Sequence, residues 1–428
     1  MYRKEYLSNG IRLITEEIPY VRSVSLGVWF IVGSRQETCE QGGISHFIEH
    51  MLFKGTETRT AQEIAEAMDA VGGQLNAFTS REYTCYYAKV LDTHFPLAAE
   101  ILADMLQNSL FTPEDVEKEK NVIMEEIKMY EDAPDELVHD LFTRAAWSGH
   151  SLGNTILGQQ DNIRQFSRDT LTEYFAAHYT PNNCVIAVAG NISHPKVRSE
   201  LERCFAGLKG KKALSQEETP VFRPGNILRP KQTEQVHLCI GTPGVSLLDK
   251  AVYSLHVISN IIGGGASSRL FQSIREEKGL AYSIYSYQSS FHDAGLFTIY
   301  AGMSPDCAAE VVRLTRREIA RLRQRGISEA ELVKTKEQLK GSLLLSLEST
   351  GNRMTRMAKS EIYFGRIIAP DELIAKIDAV THNDVRELAQ ELLAPENMAL
   401  AAVGPVDEDM IASMQEEWNG TGEEAAQH

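Results

Sequence analysis

Within one short apolar stretch, GGISHFIEHMLFKGT, three residues have the types and spacing of a metal-activated hydrolytic site: His46, Glu49 and His50, in the order H-x-x-E-H. On an α-helix, positions i and i+4 lie about 40° apart around the axis, so the imidazoles of His46 and His50 project together and can share one ion. Glu49 stands one residue before the second histidine. From there its carboxylate can reach a water on the ion without replacing that water as a ligand. Alone, the motif also fits a buried helix carrying two hydrogen-bonded histidines, and a third ligand separates the two readings.

The segment TPEDVEKEKNVIMEEIKMYED offers that ligand. Pro113 near its start, acids in its first turn, and Val116, Ile123, Ile127 and Tyr130 at helical spacing predict an amphipathic helix. Glu119 and Glu126 fall on the apolar stripe, which places both carboxylates toward the interior, where an acid needs a cation. Glu125 projects away from the stripe beside Lys118 and reads as solvated. Glu126 is therefore the expected third ligand. Two histidines and one glutamate leave a fourth position for water, the arrangement of a catalytic zinc rather than a structural one. Glu119, two turns before Glu126, either accepts a hydrogen bond from a ligand imidazole or pairs with a nearby Lys or Arg.

The elements that must position these groups follow from periodicity. The sequence MYRKEYLSNGIRLITEEIP reads as a hairpin turning at Asn9 and Gly10. GGQLNAFTSREYTCYYAKV, between the two ligand-bearing helices, reads as an edge strand of alternating residues entered through two glycines. LTEYFAAHYTPNNCVIAVAG, ending at Gly190, aligns without a gap to VRELAQELLAPENMALAAVG, ending at Gly404: a helix, a Pro that stops it, an Asn, and an apolar strand closing on Gly. CYYAKVLDTHFPLAAEIL from Cys85 likewise resembles FTIYAGMSPDCAAEVV from Phe297. A repeat this long implies duplication of a whole domain, since each copy can bury its own core. The polar stretch GLKGKKALSQEETPVFRPGNILRPKQTEQ reads as the linker, giving domains 1–220 and 221–428. Strands are often joined by turns rather than crossover helices, so the expected class is α+β, two homologous domains each with a mostly antiparallel sheet packed with helices. The acidic tail after Gly404 is expected to add one helical turn before fraying.

In the second half the stretch matching the histidine motif is ISNIIGGGASSRLFQSIREEKGLAYSIYSY, which has no H-x-x-E-H. Gly263, Gly264 and Gly265 read as a flexible loop, and periodicity makes Arg275 and Tyr282 helix and strand-edge residues.

Composition narrows the partners. Fifty-nine acidic against 43 basic residues give a formal charge of −16, which disfavours nucleic acid, and the basic run RLTRREIARLRQR from Arg313 reads as a solvated helix face. The longest apolar stretches, such as VSLGVWFIV from Val24, are strand-sized, so no membrane span is expected. No apolar secretory run opens the sequence, which predicts a cytoplasmic protein. The six cysteines contain no CxxC pair and are expected to be small buried hydrophobes.

HFIEH, the pair Glu119 and Glu126, and the duplicated halves together resemble the pitrilysin family of inverted-zincin metallopeptidases, close to the bacterial relatives of the mitochondrial processing peptidase β subunit. The resemblance covers nearly the whole chain. It implies the metallohydrolase fold of that peptidase and one zinc ion per chain on His46, His50 and Glu126, with Glu49 as general base. It further implies that Asn76, Ala77 and Phe78 border the site and pair with an extended substrate, and that Arg275 and Tyr282 assist from the second, non-catalytic domain, Tyr282 donating to the oxyanion and Arg275 to a substrate carbonyl. The expected activity is zinc-dependent endopeptidase cleavage of extended peptides or unfolded segments enclosed between the two domains, by a homodimer. Two alternatives stay open: a non-catalytic scaffold subunit of the same fold, and a catalytic partner of a separate glycine-loop subunit, a need that the chain's own Gly263–Gly265 loop weakens.

Overall fold

In a computed structural model that describes residues 2–210 and 218–419, two mixed sheets are each covered by helices on both faces. The first comprises β1 (Tyr2–Tyr6), β2 (Arg12–Glu17), β3 (Ser23–Phe30), β4 (Gln74–Thr79), β5 (Thr84–Leu91) and β6 (Cys184–Gly190), in the order β1-β2-β6-β3-β5-β4. Only β2 and β6 run parallel. The β1–β2 turn is the expected hairpin, with Gly10 at φ 96° and the Asn9 side chain accepting from the Ile11 amide. The second sheet comprises β7 (Asn226–Pro230), β8 (Val236–Pro243), β9 (Ala281–Ser290), β10 (Gly295–Met303) and β11 (Ala399–Gly404), in the order β7-β11-β8-β10-β9, again with one parallel pair, β7–β11.

The repeated segments have matching structures. Helix Arg168–His178 leads through Pro181 into β6, as helix His382–Leu392 leads through Pro395 into β11. β5 passes to helix Phe95–Asn108 as β10 passes to helix Ala308–Arg325.

The compact units interleave in sequence. One comprises Met1–Lys128, Asn154–Glu218 and Leu344–Ile368; the other comprises Met129–Gly153, Thr219–Leu343 and Ala369–His428. In the first unit, Leu26, Val28 and Phe30 of β3 face a helical core that includes Phe47, Ile101 and Ile123. On the opposite face Trp29, Cys85 and Val185 pack against Met354, Met357 and Ala358 of helix Thr350–Phe364. That helix comes from the second half of the sequence. Burial on both faces explains why β3 reads as a continuous apolar run. The contact is tied by ion pairs of buried acids, Glu361 with Lys4 at 2.9 Å and Glu16 with Arg353 at 2.5 Å.

The second unit repeats the arrangement. Leu238, Ile240 and Phe297 meet a helical core containing Leu255, Val312 and Val385, and the opposite face, with Cys239, Leu296 and Ala401, is covered by Val138, Phe142 and Ala146 of helix Pro134–Ala146.

Four expectations change. The linker stretch is not structureless throughout: Asn226–Pro230 pairs with β11 as an edge strand, while residues 211–217 lie outside the described residues. The acidic tail forms helix Glu408–Asn419, longer than one turn, because Met410, Met414 and Trp418 line one face and pack on the second core. The glycine run is not a free loop at its start. Gly263 ends helix Val252–Gly263, and a Cβ there would come within 2.3 Å of the Ser286 backbone nitrogen. All six cysteines are free, but Cys39 is exposed and Cys204 and Cys307 are half-buried, so only Cys85, Cys184 and Cys239 are core residues. No described helix is long and apolar enough to cross a membrane.

Candidate metal centre

His46, Glu49 and His50 lie on helix Ile44–Met51. The helix starts at Gly43, which has φ 95° and whose added Cβ would come within 2.7 Å of the Leu157 carbonyl oxygen; only glycine suits both constraints. Its first amides are held by Glu37. The Gly43 and Ser45 amides donate to the two Glu37 carboxylate oxygens at 2.8 and 2.9 Å. Glu37 is only 4% exposed, and burial pushes its carboxyl up to about 7 against the opposing pull of those amides. Sequence reading passed over this residue, because no local rule joins an acid to a helix that starts across a short loop.

The third candidate ligand comes from helix Pro113–Glu131, and the two helices bring His46, His50 and Glu126 together, with one donor atom from each inside a 4.8 Å span. Glu126 Oε2 stands 3.5 Å from His50 Nε2 and 3.7 Å from His46 Nε2, and the two imidazole centroids are 4.7 Å apart. These separations are too long for good hydrogen bonds. They are close to the roughly 3.4 Å edge of a tetrahedron whose ligands lie about 2.0–2.1 Å from a zinc ion. His46 Nδ1 is buried without a hydrogen-bond partner, leaving Nε2 as the nitrogen directed at the cluster. Burial first, and the neighbouring His50 second, hold the His46 imidazole down to about 3, so it is neutral at ordinary pH with a lone pair to give. The donor set fits a zinc ion.

One premise of the sequence reading needs correction. Glu119 is buried at 3% exposure, but the Glu126 side chain is 42% exposed and sits at the rim of the stripe, not within it. Ile123 and Ile127 on either side of it in sequence are buried in the core, so Glu126 stands at the edge of the buried face, where its carboxylate stays open to water. Glu125 points to solvent and pairs with Lys128 at 2.6 Å.

Glu119 takes both parts left open for it. Its Oε2 lies 3.0 Å from His50 Nδ1, and its Oε1 2.6 Å from Lys54 Nζ. Burial raises its carboxyl, but the bonds from His50 and Lys54 outweigh that and hold it below the usual carboxylate range. An ionised Glu119 accepts the His50 Nδ1 proton and so leaves Nε2 with its lone pair toward Glu126. Lys54 was not anticipated; it follows the second histidine by one helical turn, a spacing that could have flagged it.

Glu49 accepts a 2.5 Å hydrogen bond at Oε2 from the Thr79 hydroxyl. Burial raises its carboxyl, the Thr79 bond and nearby His50 lower it, and Glu126 raises it, with a net upward shift. A carboxylate whose pKa is raised is a stronger base when ionised.

Asn76, Ala77 and Phe78 lie on β4, the terminal strand of its sheet, paired on one side with Tyr87, Tyr86 and Cys85 of β5. Asn76 is exposed, with its Oδ1 accepting from the Ala77 amide at 2.8 Å; Ala77 is buried, and the Phe78 ring packs edge-on against Trp29 at 5.5 Å. In the other unit, Tyr282 is 75% exposed at the start of β9, and the Arg275 guanidinium lies over its ring at 5.5 Å and over Phe271 at 4.8 Å.

Residues 12–160 match the family described as Insulinase (Peptidase family M16), and residues 165–339 match the Peptidase M16 inactive domain. The chain is 48% identical over 405 residues to the uncharacterized zinc protease YmxG of Bacillus subtilis, covering 95% of this chain and 98% of that relative. A solved protease from Helicobacter pylori superposes with a TM-score of 0.87 at 22% identity, covering 95% of this chain and 99% of its own. A chain of complex III2 from Candida albicans superposes at 0.83 with 24% identity, covering 97% and 99%. These two structural likenesses speak for the fold alone.

Proposed function

We propose that this chain, which belongs to peptidase family M16 and is a zinc metallopeptidase, cuts extended peptides or unfolded polypeptide segments internally, with one zinc ion per chain on His46, His50 and Glu126 and with Glu49 as the base. The observation that carries the reading is the convergence of two imidazole nitrogens and one carboxylate oxygen at the spacing of a tetrahedral site, with Glu49 on the same helix.

A bound zinc ion would polarise the scissile carbonyl and make water a better nucleophile at neutral pH. His46 supplies a neutral nitrogen, and Glu119, by accepting the hydrogen bond from His50 Nδ1, orients the ring so that Nε2 faces the site. Glu49 takes a proton from the attacking water and returns it to the departing amine, so no covalent enzyme intermediate is required. The unpaired side of β4 supports an extended substrate, since backbone pairing along Asn76, Ala77 and Phe78 reads conformation more than side chains. Arg275 and Tyr282 are carried as candidates for contact with a substrate carbonyl and the oxyanion, on the sequence resemblance. The division into domains 1–220 and 221–428, a cytoplasmic location and a homodimer belong to the same proposal; light scattering of the purified protein tests the last.

The test is a pair of measurements on wild type and Glu49→Gln. Metal analysis should find one zinc per chain in both, and cleavage of an unstructured peptide should fall by several orders of magnitude in the variant. A wild type that binds no zinc would return the chain to the scaffold reading.

A further inference from the structure

We propose that Thr79 is a positioning residue for Glu49: its hydroxyl holds one carboxylate oxygen, so that the other is presented to the water from which Glu49 takes its proton. The inference rests on Glu49 being the base. A glutamate side chain has three rotatable bonds, and Glu49 is only half-buried, so packing alone does not fix the plane of its carboxylate. The Thr79 hydroxyl donates to Glu49 Oε2 at 2.5 Å, a short charge-assisted contact that does fix it.

Thr79 is itself rigidly placed. It is the last residue of β4 and is paired with Thr84 of β5, and the next residue closes a tight turn in which the Ser80 amide and hydroxyl both donate to the Tyr83 carbonyl at 2.8 Å. A β-branched residue on such a backbone has few χ1 choices, so the hydroxyl is directed at little entropic cost. The strand that carries Asn76, Ala77 and Phe78 thus also carries the group that holds the base, and a substrate strand added along β4 would stiffen the backbone under Thr79. Through proton abstraction and return, Thr79 keeps its own proton. Only Glu49 gains one from water and gives it to the amine.

Thr79→Val keeps the shape and removes the donor; Thr79→Ser keeps the donor and removes a methyl group. Thr79→Val is expected to lower kcat about 10- to 100-fold, the range for a misplaced catalytic group, with KM within about two-fold of wild type and zinc stoichiometry unchanged. Thr79→Ser should recover most of the rate. In crystals of the metal-free proteins, the Glu49 carboxylate should leave its wild-type position in Thr79→Val and keep it in Thr79→Ser. Adding Thr79→Val to Glu49→Gln should slow the enzyme no further, because the two residues act through one carboxylate. Wild-type kcat in Thr79→Val, equal impairment of both Thr79 variants, loss of zinc, or additive losses in the double variant would each overturn the proposal. The two readings fail separately: an inactive Glu49→Gln beside a fully active Thr79→Val sinks only the role of Thr79, whereas an active Glu49→Gln removes the base and the positioning role with it.

Discussion

Replacing Glu119 by Gln should weaken zinc binding without touching a ligand. In the native chain the buried carboxylate accepts from His50 Nδ1 at 3.0 Å and pairs with Lys54 at 2.6 Å. The amide of glutamine can still accept from Nδ1 through its oxygen, so the His50 tautomer survives, but the acceptor is neutral and its NH2 group faces the Lys54 ammonium, donor against donor. A charge-assisted hydrogen bond contributes about 1.5–3 kcal/mol and a neutral one about 0.5–1.5, so roughly 1–2 kcal/mol of support for His50 is lost. That corresponds to about a 5- to 30-fold weaker site, overlapping the lower part of the roughly 10- to 100-fold range that outer-shell substitutions usually cost. Competition for zinc against a fluorescent chelator at fixed pH would read the change directly, with the circular dichroism of the metal-free variant checking the fold. Lys54→Met should give a smaller loss in the same direction, since His50 keeps its anionic partner. Wild-type zinc affinity in Glu119→Gln would refute the claim that Glu119 tunes His50, and would reduce it to a partner for Lys54.

Glu126→Gln should lower zinc affinity far more than Glu125→Gln, because Glu126 faces both imidazoles while Glu125 is spent on a solvent pair with Lys128; equal metal loss in the two variants would contradict the ligand assignment. Glu37→Gln bears on pH dependence. The folded-state pKa of Glu37 is raised from 4.5 to about 7, so between those values the folded chain holds a proton that the unfolded chain has released, and stability falls as pH rises through that window. The full effect is of order 3 kcal/mol, and glutamine, which cannot ionise, escapes it. Urea unfolding of the metal-free proteins should show the variant gaining on wild type between pH 5 and pH 8, and a difference independent of pH would count against the buried carboxylate.

The local parts of this protein were legible in the residue order, because each depends on spacing along one element. The i, i+4 histidines, the helix carrying Glu119 and Glu126, the Asn9–Gly10 hairpin and the duplicated helix-Pro-strand unit all follow from helical or strand periodicity and from turn chemistry. Long-range choices were not legible. Periodicity says that helices Pro134–Ala146 and Thr350–Phe364 have an apolar face, but not which sheet receives it, and each packs in the unit built mainly from the other half of the sequence. The same limit hid the supports of the site. Glu37 reaches backbone amides across a loop, Lys54 reaches from the turn after one helix to another helix, and Thr79 acts across a strand-helix contact, and bonds that depend on how separate elements meet leave no periodic trace. Ligand types and spacing were thus a property of the sequence alone. The exposure of Glu126, the tautomer of His50 and the hold on Glu49 were decided only when the sheet and the helices came together, because burial and hydrogen-bond geometry belong to the packed chain.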